Sequence, residues 1–258
     1  MLQAVLFDQD GVIIDTERFG HRVAFNAAFA RLGHTDVEWD EDTYHRLLQV
    51  GGGKERIRHY FQNMYHGKNR PVDMDAFVAE MHRVKTDIFI DMLPGLPLRP
   101  GVRRFMLELR DMGVRMGICT TSNERVAETV AGKILAGIPF AVILAGDMVA
   151  RKKPDPEIYL TALDALGVPP GKCLVVEDSN IGVRAATAAG CRVLATYNGY
   201  TEGEDLSAAD FIVDCLGDPD GERATMRKER YPVTENGVVS ARLIQRFFDS
   251  GSGKGKKE

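Results

Sequence analysis

From Leu93 onward the chain alternates apolar runs of strand length with stretches of helical periodicity. VRMGICTTSN, PFAVILAGD, KCLVVEDSN and CRVLATYNG read as strands, and GVRRFMLELRDMG, DPEIYLTALDALG and GVRAATAAG read as the helices between them. In the first helix Val102, Phe105, Met106, Leu109 and Met112 share one face, and the second ends at Gly167. This alternation predicts an α/β protein with a Rossmann-like parallel sheet covered on both faces. In such sheets ligands bind beyond the carboxyl ends of the strands.

The same pattern opens the chain. Ala4-Val5-Leu6-Phe7 reads as a buried strand, and it stops in two carboxylates, Asp8 and Asp10, followed by Gly11. Acids are poor strand formers and costly to bury, so their place at a strand tip requires a reason. Residues 16–92 then change character: strand signals vanish and helical spacing takes over. Phe19, Val23 and Ala27, with Ala24 and Ala28, predict one amphipathic helix. Glu41 to Gln49, Lys54 to Tyr65 and Met74 to Met92 predict three more, with the flexible loop VGGGK before the second of these. The expected organisation is a catalytic core of residues 1–15 and 93–216 and an inserted helical cap over 16–92. Residues 217–258 would be a surface extension with a closing helix, VVSARLIQRFF, and a disordered basic tail, GSGKGKKE.

Composition narrows the class. A net charge of −4 gives no basic field for nucleic acid, and the longest apolar runs are strand-sized, too short to span a membrane. No basic region followed by a long apolar segment opens the chain, so no secretory signal is expected. Cys119, Cys173, Cys191 and Cys215 form no CxxC pair, which predicts buried free thiols in a reducing compartment. A cytoplasmic monomer acting on a small molecule is the expectation.

The strand ends converge on one chemistry. They carry Asp8 and Asp10, Thr120 and Thr121, and Glu177 and Asp178, with Lys152 and Lys153 just after AVILAGD. Clustered carboxylates repel unless a cation joins them, and hard oxygen donors suit Mg²⁺. Thr120 can donate to a phosphoryl oxygen, Lys153 can neutralise its charge, and amides near Thr121 and Gly11 can complete the cradle. One acid would attack phosphorus and the other would move the proton. Singly, DxDG is a turn, TTSN a helix start with Ser122 or Asn123 as cap, and KKP a solvated loop. Their joint occurrence at successive strand ends is what favours a site.

DQDG at 8–11, Thr120 in GICTTSN, Lys153 in KKPDPEIY and Glu177-Asp178 in VVEDS together resemble the haloacid dehalogenase superfamily of phosphotransferases. The resemblance implies an Asp8 nucleophile and an Asp10 general acid/base. It implies Mg²⁺ held by Asp8, the Asp10 carbonyl and Asp178, with Glu177 a direct or water-mediated ligand. An acid at position 10 argues against a true dehalogenase, which needs no such proton relay. YHRLLQVGGGKERIRHYF, AGDMVARKKPDPEIY and GYTEGEDLSAADFIVDCLGD are further similar to the β-phosphoglucomutase-like branch and its xylulose-1,5-bisphosphate phosphatases. That implies Glu17, His21, Tyr44 and Gly52-Gly53-Lys54 near the sugar. The family spaces its acid and histidine as E-x-x-H, whereas this chain has ERFGH. The extra residue rotates His21 relative to Glu17 on a regular helix and leaves His21 open between contact and packing. Lys54 follows three glycines at a helix start, a place that can bind a second phosphate.

The leading expectation is therefore a Mg²⁺-dependent sugar-phosphate phosphatase working through an aspartyl phosphate, with a sugar bisphosphate as substrate. The alternatives are a phosphosugar mutase of β-phosphoglucomutase type, a phosphonoacetaldehyde hydrolase with Lys54 as its Schiff base, and a phospho-accepting receiver module without turnover.

Overall fold

The computed structural model describes residues 1–250, and the tail expected to be disordered lies outside them. Strands β1 (Ala4–Phe7), β2 (Arg115–Thr120), β3 (Val142–Ala145), β4 (Cys173–Glu177), β5 (Arg192–Thr196), β6 (Phe211–Val213) and β7 (Met226–Glu229) form one sheet. Its order is β3-β2-β1-β4-β5-β6-β7. All pairs are parallel except β6 with β7. β1 is buried along its whole length, as a strand covered on both faces must be.

Alternate residues feed two cores. Val5, Phe7, Met116, Ile118, Leu174 and Val176 point to one face, and Ala4, Leu6, Cys119, Val175 and Val193 to the other. Two helices cover the first face: Val102–Asp111 through Phe105, Met106 and Leu109, and Ala241–Asp249 through Ile244, Phe247 and Phe248. Glu157–Leu166 and Asn180–Ala188 cover the second. The four cysteines are free and buried.

Residues 17–92 hold helices α1 (Arg22–Arg31), α2 (Glu41–Leu48), α3 (Gly53–Asn63) and α4 (Met74–Met92). The Asp40 and Asp73 carboxylates accept from Thr43 N and Ala76 N and so cap α2 and α4. These helices enclose a separate aromatic core that includes Phe25, Phe29, Trp39, Tyr44 and Phe61. The expected buried face of α1 is corrected: Phe19 and Val23 are 48% and 40% exposed, and Ala24, Phe25, Ala28 and Phe29 face inward. The reason is a turn of π-helix over Glu17–His21, which holds one residue more than an α-turn and shifts the register of α1 behind it.

Residues 217–249 are not a surface appendage. They add antiparallel β7 to the sheet edge, form a small hairpin between Thr234–Glu235 and Val238–Val239, and return the closing helix to the main core. That helix was legible because Ile244, Phe247 and Phe248 recur at helical spacing. β7, Met-Arg-Lys-Glu, gave no strand signal because an edge strand can be charged on both sides.

Candidate active site

Register places the acids together. Phe7 lies between Ile118 of β2 and Val176 of β4, so the next residues, Asp8, Cys119 and Glu177, leave the sheet side by side. Lys153 arrives from the loop after β3. Its ammonium has three donors, and all are used: Asp8 Oδ1 at 2.8 Å, Glu177 Oε1 at 2.6 Å and the Cys119 carbonyl at 3.0 Å. Burial would lower the Lys153 pKa, but Asp8 and Glu177 outweigh it and raise it. Burial pushes Asp8 up from the usual carboxylate range, Lys153 opposes that, and the Glu177 and Asp10 charges add to it. Asp178 also rises, through burial and then the charges of Asp8 and Glu177.

Three carboxylates crowded this way fit a hard divalent cation. Donor oxygens of Asp8, Glu177 and Asp178 lie within 4.8 Å of one another. The backbone approaches closely as well: at Gly11, with φ of +80°, a Cβ would sit 2.1 Å from Asp178 Oδ2. The acids differ in freedom. Glu177 Oε1 also accepts from the Tyr159 hydroxyl, and its Oε2 accepts from Asp178 N at 3.2 Å. Glu177 therefore anchors Lys153 before it can serve any ion. The Asp10 side chain stands apart from this cluster, so its part in holding a cation would fall to its carbonyl.

Asp10 instead faces the helical segment. Its Oδ1 accepts from Thr16 Oγ1 at 2.5 Å and lies 3.1 Å from His21 Nε2, and its Oδ2 accepts from Ser122 Oγ. Burial would raise its pKa, but the neighbouring His21 and the hydrogen bonds from His21, Ser122 and Thr16 hold it well below the usual range. His21 is buried, stacks on Phe89 with ring centroids 4.0 Å apart, and presents Nδ1 to Lys85 Nζ at 2.7 Å. A charged lysine can only donate, so it makes Nδ1 the acceptor and leaves the Nε2 proton for Asp10. The residue inserted in ERFGH is thus absorbed: the π turn lets Glu17 and His21 line the same cavity.

That cavity, about 530 Å³, lies between the strand ends and the helical segment. Asp8, Asp10, Lys153, Asp178, Glu17, Gly52, Gly53 and Thr121 line it. Thr120 and Tyr44 are buried behind its wall: Thr120 Oγ1 accepts from Ser122 N at 3.0 Å, and the Tyr44 hydroxyl donates to Glu17. Lys54 does not line it. Its ammonium is half exposed, 3.9 Å from Asp147 of the sheet domain. Arg56 takes the inward place, 3.5 Å from Glu17 and bonded to the Val50 carbonyl at 2.9 Å.

Several site residues were missed in the sequence. Ser122 reads as a cap, yet Asn123 is the cap and Ser122 turns to Asp10. Lys85 had a signal: it lies four residues from both Met81 and Phe89, on the buried stripe of α4. Burial lowers its pKa from 10.5 to about 8. At neutral pH that is a cost to stability, up to about 3 kcal/mol. The cost is complete below pH 8 and fades as pH rises towards 10.5. Lys85→Met is expected to raise the thermal midpoint at pH 7 and to lower turnover about 10–100-fold through a misoriented His21. Melting curves and kcat on one preparation check both, and a variant less stable at pH 7 contradicts the reading.

A family model, haloacid dehalogenase-like hydrolase, matches residues 2–190. A CBBY-like protein of Arabidopsis thaliana is 44% identical over 85% of this chain and 71% of its own length. CbbY of Rhodobacter sphaeroides, solved in complex with xylulose-(1,5)bisphosphate, is 38% identical, covers 83% of this chain and 95% of its own, and superposes with a TM-score of 0.75. Beta-phosphoglucomutase of Bacillus subtilis is 27% identical over 91% of this chain and 99% of its own. The chain belongs to the haloacid dehalogenase-like hydrolases and is an enzyme of their phosphatase kind.

Proposed function

We propose that the protein is a Mg²⁺-dependent phosphatase of a small sugar bisphosphate, such as xylulose 1,5-bisphosphate, acting through an aspartyl phosphate on Asp8. The observation that carries this reading is the division of labour between the two acids. Asp8 is fixed by Lys153 at the strand ends, whereas Asp10 is fixed by His21 and Thr16 from the other wall of the same cavity and by Ser122 from the loop after β2.

Mg²⁺ held by Asp8, the Asp10 carbonyl and Asp178 would neutralise charge on the transferring phosphoryl group. Asp8 attacks phosphorus, and Lys153 holds its carboxylate in line. Thr121, which lines the cavity, would offer its amide to a phosphoryl oxygen, with Thr120 behind it holding the Ser122 amide. Asp10 is ionised in this arrangement, so the proton it gives the leaving sugar oxygen enters through His21 and Lys85. Once that proton is spent, the ionised Asp10 is the base for the water that cleaves the aspartyl phosphate. The Gly52-Gly53 turn into α3, with Lys54 swung from Asp147 towards the cavity mouth, would hold the second phosphate.

The test is phosphate release across mono- and bisphosphorylated sugars, with Mg²⁺ and with a chelator. Release from the bisphosphate, silenced by the chelator and restored by Mg²⁺, is expected. Calcium is expected to restore it poorly, because it prefers larger and looser coordination. Lys54→Ala is expected to lower kcat/KM on the bisphosphate about 10–100-fold and to leave p-nitrophenyl phosphate untouched. Full activity in chelator contradicts the metal assignment. Conversion of a hexose 1-phosphate to its 6-phosphate, without phosphate release, would make the protein a mutase.

A further inference from the structure

The loop after β5 is attached to both the acids and the helical segment. Its residue Asn198 is buried, and its side-chain oxygen accepts from Tyr200 N at 2.9 Å and Thr201 N at 3.3 Å. Thr201 Oγ1 in turn accepts from Asn198 N at 3.0 Å. These contacts fix which way the amide faces, so its Nδ2 must donate outward, and it reaches Asp178 Oδ2 at 2.7 Å. A Cβ at Gly11 would lie 2.7 Å from Asn198 Nδ2, so Asp178 is boxed between the Gly11 backbone and this amide.

The loop is tied down twice more. Asn180, two residues past Asp178, donates its N–H to Glu204 at 2.6 Å and its side-chain amide to the Asp205 carbonyl at 2.6 Å. On the outer side, Arg227 of β7 stacks 3.8 Å above the Tyr197 ring and bonds Glu202. The C-terminal strand that had no evident role thereby braces this loop.

Between these ties Tyr200 leaves the sheet domain. Among the described hydrophobic residues it alone, from outside residues 25–88, packs on the aromatic core of the helical segment. Its ring lies 6.2 Å from Tyr44, edge-on, and 5.7 Å from His45. Tyr44 donates to Glu17, the first residue of the turn that carries His21.

We propose that Asn198 is a positioning residue for the Asp178 carboxylate, and that Tyr200 conveys the seating of the helical segment to it. Cation affinity and cap position are then coupled through one short loop. Asn198 holds Oδ2 of Asp178 and so fixes the rotation of a carboxylate that belongs to the acidic cluster. Outer partners of this kind typically change metal affinity about 10–100-fold when removed.

The inference rests on the Mg²⁺ reading above, and its test separates the two. The full chain is titrated with Mg²⁺ alone by calorimetry, with Trp39 emission followed in parallel. Trp39 is the one tryptophan, buried in the helical segment 6.1 Å from the Tyr44 ring. Wild type is expected to bind Mg²⁺ with a change in emission. Asn198→Ala and Asn198→Ser are expected to bind at least about 10-fold more weakly and to regain turnover as Mg²⁺ is raised, which a folding defect would not do. Tyr200→Ala is expected to lose the emission change, and Tyr200→Phe, which keeps the ring, to retain it. A wild type that binds no Mg²⁺ removes the metal reading itself. Given binding, wild-type affinity in the Asn198 variants overturns the inference. So does weak binding whose turnover high Mg²⁺ does not restore. So does a Trp39 response that is absent from wild type or survives in Tyr200→Ala.

Discussion

Asp8→Asn is expected to abolish phosphate release, with a loss of about 10⁴-fold or more, while the fold survives. The amide keeps an oxygen to accept the Lys153 hydrogen bond but cannot attack phosphorus. Stability carries a second signature. Burial and the neighbouring Glu177 and Asp10 charges raise the Asp8 pKa, so its ionised form costs stability above the unfolded carboxylate's range. Replacing it with a neutral amide removes one of three crowded charges. The thermal midpoint in chelator at pH 7–8 is therefore expected to hold or rise. Appreciable turnover in the variant would remove Asp8 as the nucleophile.

Asp10→Ala is expected to cost about 10²–10⁴-fold on a sugar phosphate and far less on p-nitrophenyl phosphate. A nitrophenolate leaves without needing a proton, and an alkoxide does not. The structure adds a condition. Asp10 also gathers Thr16 and His21 from the helical segment and Ser122 from the loop after β2, so its loss releases the wall of the cavity as well as a proton. Asp10→Asn retains most of those contacts and separates the two effects. Both variants should show the same leaving-group dependence if proton transfer is the role. Equal losses on both substrates would make Asp10 a structural tie.

What could be read from the sequence was whatever physics places at strand ends. Asp8, Lys153, Glu177 and Asp178 were legible because acids and an ammonium interrupt apolar runs that otherwise have no reason to stop. The closing helix was legible because its buried residues recur at helical spacing. Lys85, Ser122 and Asn198 were not read as site residues for separate reasons. Lys85 looks like a surface lysine unless its place on a buried stripe is weighed. Ser122 is one residue from a true cap, and capping alone explains it in sequence. Asn198 sits in a turn where asparagine needs no other justification, and only the fold brings it 2.7 Å from Asp178. The placement of Lys54 differs because its neighbour Asp147 comes from the other side of the cleft, and no local pattern encodes such a pairing.

The π turn at Glu17–His21 has a consequence for how such a chain can change length. The segment is pinned on both sides of this turn: Thr16 to Asp10 before it, and His21 to Asp10 with Phe25 and Phe29 to Trp39 at its end and beyond. In an uninterrupted α-helix, one added residue would turn one pinned end by about 100° away from its partner. A wider turn placed between the pins takes up the extra residue as a local loop of slack, and neither end rotates. The Thr16 contact with Asp10 and the contacts of His21 and the aromatic residues behind it thus stay in phase across the turn. The segment that shapes the substrate cavity can gain or lose a residue at this one joint while the proton path to Asp10 stays in place.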